Sequence, residues 1–485
     1  MQKAFFLLGL GVEVIQLFKR YFPAIPTPQQ QEAFNTISVF LTRAQPESCF
    51  VLKGYAGTGK TTILSTLVHI LPMLHQRAVL LAPTGRAAKV MAAYSGKPAS
   101  TIHKKIYRKN VAGTPELAFT LSDNLHKNTL FIIDEASMIS NERVGFGGKS
   151  LLEDLVNYVM AGDHCRLLFV GDVAQLPPIG LEESPALNKA YLRTHFNVEV
   201  MTYELTDVVR QESNSGILVN ATRIREQLRL DKKPLVQVKF PKLVVKGFPD
   251  IFRMTGEHLM EGLHYAYDKF GLENTLVICR SNKSANLYNQ HIRHQILYRE
   301  EELTGGDQVM VVRNNYYWTT EEGQDQRFIA NGDMAVVKRV RNVHEQYGFR
   351  FADVTLSFID QMDAEPLSCR ILLDVLHADA PHLPLADQRR LFEAVMEDYQ
   401  DLPTKRARLE AIKKDAYYNA LQIKFSMAVT CHKAQGGQWD AVFVDQGFLT
   451  EEMLTTDFLR WLYTACTRAT QELFLVNFNP KFFVG

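Results

Sequence analysis

The stretch GYAGTGKTT at 54–62 restricts the fold of this chain more than any other. The apolar run Cys49, Phe50, Val51, Leu52 leads into it, and ILSTLVHIL at 63–71 leaves it with apolar residues at helical spacing. It therefore reads as strand, glycine turn and helix. Gly54, Gly59, Lys60 and Thr61 fill G-x-x-x-x-G-K-[ST], and each position has a physical reason. The glycines, Gly57 among them, let backbone N–H groups approach phosphate oxygens. Lys60 reaches the β- and γ-phosphates, and the Thr61 hydroxyl ligates magnesium. Thr58 and Thr62 complete the predicted cradle for ATP, and the opening helix adds the positive end of its dipole.

Strand-like runs alternate with helical periodicity on both sides of this turn. The strand candidates are 49–53, 78–82, 130–134 and 166–172, and the helical ones are 60–71, 85–94 and 149–161. Such alternation predicts a parallel sheet covered on both faces, with ligands at the carboxyl ends of the strands. A second alternating block starts at 275–281, continues through a helix from Asn282 to about Ile296, and resumes at 441–445, 456–468 and 472–476. Between its two parts, 306–312 and 331–340 are short β-type runs with turn signals, and 384–418 is charged and helical. At 485 residues the chain is too long for one core. The predicted domains are 1–205, with an insertion at 104–128; 206–305 together with 425–485; and a β-rich insertion at 306–424.

Composition narrows the class. With 46% hydrophobic and 22% charged residues the chain is globular, and a net charge of +1 means that any nucleic-acid surface must come from local clustering. Six cysteines without a C-x-x-C pair suit buried reduced thiols in a cytoplasmic protein. The opening MQKAFFLLGLG is too short to span a bilayer and reads as the start of an amphipathic helix.

FIIDEAS at 131–137 ends a β-run in two carboxylates. Asp134 suits magnesium, and Glu135 suits a base that orients and deprotonates the attacking water; a helix-capping pair is the alternative. LLFVGDVAQLPPIG at 167–180 ends another such run, with Gln175 placed to report the γ-phosphate and two prolines stiffening the loop beyond it.

With these motifs in order, the sequence resembles superfamily 1 helicases, specifically the RecD-like and Dda-like branch with 5′-to-3′ polarity. The resemblance implies two RecA-like motor domains, a hairpin insertion in the first and an SH3-like barrel in the second. TPQQQEAF at 27–34 looks like the family's adenine-recognising motif, with Gln30 or, one register earlier, Gln29 as reader. LAPTGRAAKVM at 81–91 resembles the segment that contacts single-stranded DNA, through Thr84. ELTDVVRQ at 204–211 and LYTACTRATQELFLV at 462–476 resemble the elements that supply arginines to the γ-phosphate, here Arg210 and Arg468. Taken singly, either arginine is more often a surface ion pair. MAVTCHKAQGGQWDAVFVD at 427–445 resembles the DNA-contacting motif of the second domain, and implies Thr430, His432 and Lys433.

Between Ser95 and Thr114 the chain carries Lys97, His103, Lys104, Lys105, Arg108 and Lys109 and no acid, a local excess suited to a phosphate backbone. A hairpin over 105–121 in this family splits the duplex, which makes Phe119 either its apolar tip or a core residue. The family usually has a glutamate where this chain has Gln438. The implied partners are single-stranded and forked duplex DNA, with a separate nuclease or a replication and repair protein beyond them and no membrane. An RNA or RNA–DNA helicase, or a motor fold serving mainly to bind DNA and a nuclease, are the alternatives.

Overall fold

The computed structural model describes residues 13–42, 47–109, 119–143, 148–209, 214–231, 240–315, 317–318, 329–359 and 365–484. The first lobe carries β1 (Ser48–Gly54), β2 (Arg77–Ala82), β3 (Ala99–Thr101), β4 (Tyr107–Lys109), β5 (Phe119–Leu121), β6 (Thr129–Ile133), β7 (Arg166–Gly171) and β8 (Glu199–Leu205). Six of these form one sheet in the order β3-β2-β6-β7-β1-β8 with every pair parallel. β1 lies between β7 and β8, so Gly54 emerges at the carboxyl rim, flanked by the ends of its neighbours.

Strand alternation explains the two cores of this lobe. Phe50 and Leu52 face the helix Lys60–Ile70, whose Ile63, Leu64, Leu67 and Val68 are fully buried, with Phe18 and Phe34 beyond. Each such side chain contributes about 1.5–3 kcal/mol on burial. Cys49 and Val51 face the other way, with Phe131, Ile133 and Phe169, onto the helix Leu151–Met160. Ser150 and Glu153 close that helix's first turn in a reciprocal cap. Residues 1–12 lie outside the described part, and a helix over 13–21 comes after them.

The second lobe opens with β9 (Ile251–Met254) and β10 (Thr275–Cys279). Five strands of a closed barrel come next: β11 (Gln308–Val311), β12 (Met334–Gln346), β13 (Phe349–Phe358), β14 (Leu367–Leu372) and β15 (Leu421–Phe425). The lobe resumes with β16 (Ala428–Thr430), β17 (Trp439–Asp445) and β18 (Ala469–Val476). Its sheet runs β16-β10-β17-β18-β9, again all parallel. The fold is thus mixed α/β, with two RecA-like sheets and a barrel inserted in the second. A buried ion triad fixes the barrel to its lobe: Arg293, 1% exposed, grips both oxygens of Asp307 at 3.0 Å, and Arg299 reaches Oδ1 at 2.6 Å.

The charged stretch at 384–418 has a structural reason. β14 and β15 pair in parallel, which requires a crossover rather than a hairpin. The helices Leu385–Glu397 and Lys405–Lys413 form part of that crossover, and their Leu391, Val395 and Ile412 close one end of the barrel over Phe349 and Phe351. All six cysteines are buried and unbridged. Among the described residues no helix is long and apolar enough to cross a membrane.

Candidate nucleotide and nucleic-acid site

The turn after β1 requires glycine at 59. Its φ is +83°, and a Cβ there would lie 2.4 Å from Gln30 Nε2. Lys60 Nζ and the Thr58 hydroxyl both donate to the Tyr55 carbonyl at 2.8 Å, so the loop is braced from within. Thr61 and Thr62, on the first turn of the helix, line a cavity of about 460 Å³ together with Ser65 and Tyr94.

The two glutamines of TPQQQEAF do different work. Gln30, 3% exposed, forms a reciprocal cap with Thr27: its Oε1 accepts from Thr27 N at 2.9 Å, and its own N–H donates to Thr27 Oγ1 at 3.2 Å. Its Nε2 donates to the Thr58 carbonyl at 3.2 Å, which ties the helix start to the phosphate loop. Gln29 instead holds the end of β8, accepting from Thr206 N at 2.8 Å and Asp207 N at 3.0 Å and donating to Thr206 Oγ1 at 2.7 Å.

Asp134 stands one residue past β6, its Oδ2 accepting from the Tyr94 hydroxyl at 2.7 Å and its Oδ1 from Glu135 N at 2.8 Å. Glu135 has a left-handed backbone, φ 52°, and its side chain makes no cap bond to the short turn after it, which removes the helix-capping alternative. Burial raises the pKa of both carboxyls. For Asp134 the Tyr94 hydroxyl and the Glu135 N–H oppose the rise, and for Glu135 the Arg468 guanidinium does.

That arginine comes from the other lobe. Arg468, 4% exposed, follows the helix Thr456–Cys466 and lies 3.8 Å from Glu135 Oε1. Its Nε donates to the Thr464 carbonyl at 3.1 Å and its Nη1 to the Gly437 carbonyl at 3.2 Å. Gln175 is buried, with its Oε1 unpartnered, in the loop after β7. The next residue is gripped by the second lobe: Leu176 N donates to Thr464 Oγ1 at 2.8 Å, and the Leu176 carbonyl accepts from Gln435 Nε2 at 2.7 Å. Arg210 lies outside the described residues.

Two family models match this arrangement, one described as AAA domain over residues 27–232 and one as UvrD-like helicase C-terminal domain over 425–476. The ATP-dependent DNA helicase dda of Enterobacteria phage T4 is 24% identical over 452 residues, covering 86% of this chain and 92% of that protein. The chain is a superfamily 1 helicase. Within that superfamily it is of the RecD and Dda type. The ATP-dependent RecD2 DNA helicase of Deinococcus radiodurans is 33% identical over 171 residues, 35% of this chain and 20% of that one. A crystal structure of Pif1 helicase from Bacteroides in complex with ADP-AlF3 and single-stranded DNA aligns with a TM-score of 0.44 at 14% identity, covering 95% of each chain.

In this helicase the residues that the sequence resemblance implies for DNA fall on both lobes. Thr84 caps the helix Gly85–Ser95, its Oγ1 accepting from Ala87 N at 3.2 Å. Gly436 of the second lobe comes so close that a Cβ on it would sit 2.8 Å from Ala87 Cβ and 3.2 Å from Thr84 Oγ1. Next to it Arg86 stacks on Trp439 at 4.0 Å and donates to the Gln438 carbonyl at 2.8 Å, so the main chain of Gln438 serves as an interlobe acceptor. Thr430 ends β16 directly opposite Cys279, and His432 and Lys433 come next on one short turn. Burial lowers the Lys433 ammonium to about 8.

The basic run after Ser95 is less uniform than its sequence. Lys97 donates to the Val68 carbonyl at 3.2 Å and serves the fold. His103 sits on the helix Ile102–Ile106, and burial lowers its pKa to about 4, which leaves a neutral ring beside Lys104. β4 and β5 form an antiparallel ribbon in which Phe119 pairs with Lys109. The hairpin's connection at 110–118 and the Phe119 side chain lie outside the described residues. The backbone of Phe119 is paired in the ladder, at the edge of the described residues.

Sequence reasoning missed Tyr94, Tyr463, Asp172, Gln435 and Arg86. All but Tyr94 stood inside recognised motifs, and only their side-chain partners reveal what they hold.

Proposed function

We propose that this chain is an ATP-dependent DNA helicase that couples hydrolysis to 5′-to-3′ movement on single strands and to duplex opening. The observation that carries the reading is Arg468 of the second lobe, 3.8 Å from Glu135 of the first. An arginine supplied across a cleft spreads charge in the transition state only while the cleft is closed, so hydrolysis and lobe movement become one event. Lys60 and the loop amides hold the phosphates, Gln175 reports the γ-phosphate, and Glu135, with its raised pKa, accepts a proton from water. Arg210, on the segment after β8, is the second arginine of this reading.

The Thr61 hydroxyl and the Asp134 carboxylate are the hard oxygen donors that suit magnesium. Among the described residues no cluster of three or more His, Cys, Asp or Glu could form an all-protein metal cage, so the donor set fits an ion held chiefly by nucleotide oxygens. Magnesium, when bound with the nucleotide, neutralises charge on those oxygens. Thr84 and His103–Lys104 on one lobe and Thr430, His432 and Lys433 on the other would take successive backbone phosphates as the lobes approach and part.

The test is strand displacement on forked duplexes bearing one single-stranded tail, 5′ or 3′, with and without ATP. Opening of the 5′-tailed fork alone is expected. Opening of only the 3′-tailed fork overturns the polarity, and hydrolysis stimulated by RNA but not by matched DNA overturns the substrate.

A further inference from the structure

The second lobe also touches the phosphate loop directly. Tyr463, 1% exposed on the helix Thr456–Cys466, places its hydroxyl between two groups of the first lobe. It accepts from the Ala56 N–H, within the phosphate loop, at 2.8 Å and donates to Asp172 Oδ2 at 2.6 Å. Asp172, also 1% exposed, follows the strand β7 and starts the loop that carries Gln175. Its Oδ1 accepts from Ala174 N at 2.9 Å, and its carbonyl accepts from Gln175 N at 3.3 Å. The neighbouring Tyr55 is held from the same side: Arg225 lies 4.5 Å over its ring and donates to the Thr206 carbonyl at 3.2 Å. Ala174 and Leu176 share one apolar core with Leu459, Leu462 and Tyr463. A single hydroxyl thus joins the loop that cradles phosphate, the loop that carries the γ-phosphate reporter, and the lobe that must move.

We propose that Tyr463 is a positioning residue that transmits the state of the phosphate loop, through Asp172, to Gln175 and to the second lobe. The inference rests on the helicase reading above. A shift of the Ala56 amide when phosphates enter changes what the Tyr463 hydroxyl bonds to. The buried Asp172 carboxylate, which depends on that hydroxyl for one of its donors, then repositions the loop it begins. This path differs from the arginine route in what it touches: Arg468 lies against Glu135, and Tyr463 lies against Ala56 and Asp172.

The test is Tyr463→Phe in the full chain, which keeps the ring and removes only the hydroxyl. A hydrogen bond to a charged group is worth a factor of about 10 to 100, so kcat in the presence of single-stranded DNA should fall by about that factor, with KM for ATP held within about twofold. The number of base pairs opened per ATP should fall as well; mere loss of folded protein lowers rate and unwinding together and leaves that ratio unchanged. Tyr463→Phe combined with Asp172→Asn removes the buried charge, so it folds without an unpaired carboxylate and is read in the same assays. If the double variant, or the single one, couples at the wild-type ratio, Tyr463 is only a charge partner and the inference is overturned. If the wild-type chain itself shows no DNA-stimulated hydrolysis, it is the helicase reading that fails.

Discussion

The two lobes share an architecture and divide the chemistry. In each, an interior strand of a parallel sheet ends at the carboxyl rim, but β1 ends in Gly54 and a glycine-rich turn, whereas β10 ends in Cys279 and runs on into Arg280 and Ser281. Without glycines the second turn cannot bring a row of amides onto phosphate, and Ser281 instead caps a helix, accepting from Ser284 N at 3.0 Å. What the second lobe contributes is reach: Arg468, Tyr463, Thr464 and Gln435 all extend into the first. On the proposed reading, a sheet that binds nucleotide and a sheet that senses it are built from one plan, and the difference lies in a few residues at strand ends.

The division predicts that the halves fail differently. Lys60→Ala should abolish hydrolysis and nucleotide affinity together, because it removes a ground-state contact of the first lobe. Arg468→Ala should lower kcat by about 10³ or more while nucleotide affinity, measured with a fluorescent ADP, stays close to wild type. Equal loss of affinity in both variants would erase the distinction between binding and sensing lobes. Glu135→Gln belongs with Arg468→Ala, since it leaves phosphate contacts and stalls turnover.

Tyr94→Phe sharpens the first lobe's side at smaller cost. Its hydroxyl is the donor that orients Asp134 Oδ2, and losing a hydrogen bond to a carboxylate is worth about tenfold to a hundredfold. The loss should appear in kcat/KM at limiting magnesium and shrink as magnesium is raised, because the metal can itself restrain the carboxylate. A loss independent of magnesium concentration would show Tyr94 to be a packing residue.

Legibility in the sequence divides along the same line. Gly54 to Thr62 and Asp134–Glu135 are contiguous in the chain, so strand, turn and chemistry could be read together. The alternating runs also announced both sheets, and the turn-rich run after 306 announced the barrel, because hydrophobic period is a local signal. β3 and β8 were not announced: β3 is three residues long, and β8 is an edge strand in which only Val200 and Leu205 are buried. The crossover at 384–418 had no visible purpose until β14 and β15 were seen to pair in parallel. Tyr94, Tyr463 and Arg86 stayed silent for a different reason. Each acts on a residue distant in sequence, 40 positions away for Tyr94 and 407 for Tyr463, and no spacing rule encodes such a pair.

The smallest effect concerns the side proposed to face DNA, where each lobe sets a histidine next to a lysine, His103–Lys104 and His432–Lys433. His103 stays neutral down to about pH 4, so acidification from pH 8 to 6 should not strengthen DNA binding through it. Lys433 behaves oppositely. Burial lowers its ammonium to about 8, so its charge is present at pH 7 and is lost as pH rises through that value. A phosphate beside it favours the charged form, so affinity gained from this contact is complete below about pH 8 and disappears above it. The dissociation constant for a single-stranded oligonucleotide should rise severalfold between about pH 7 and 9.5, the value of roughly one phosphate contact. Lys433→Arg, charged throughout, should flatten that rise. A pH dependence that persists in Lys433→Arg would assign the titrating group elsewhere and leave the second lobe without its phosphate contact at this turn.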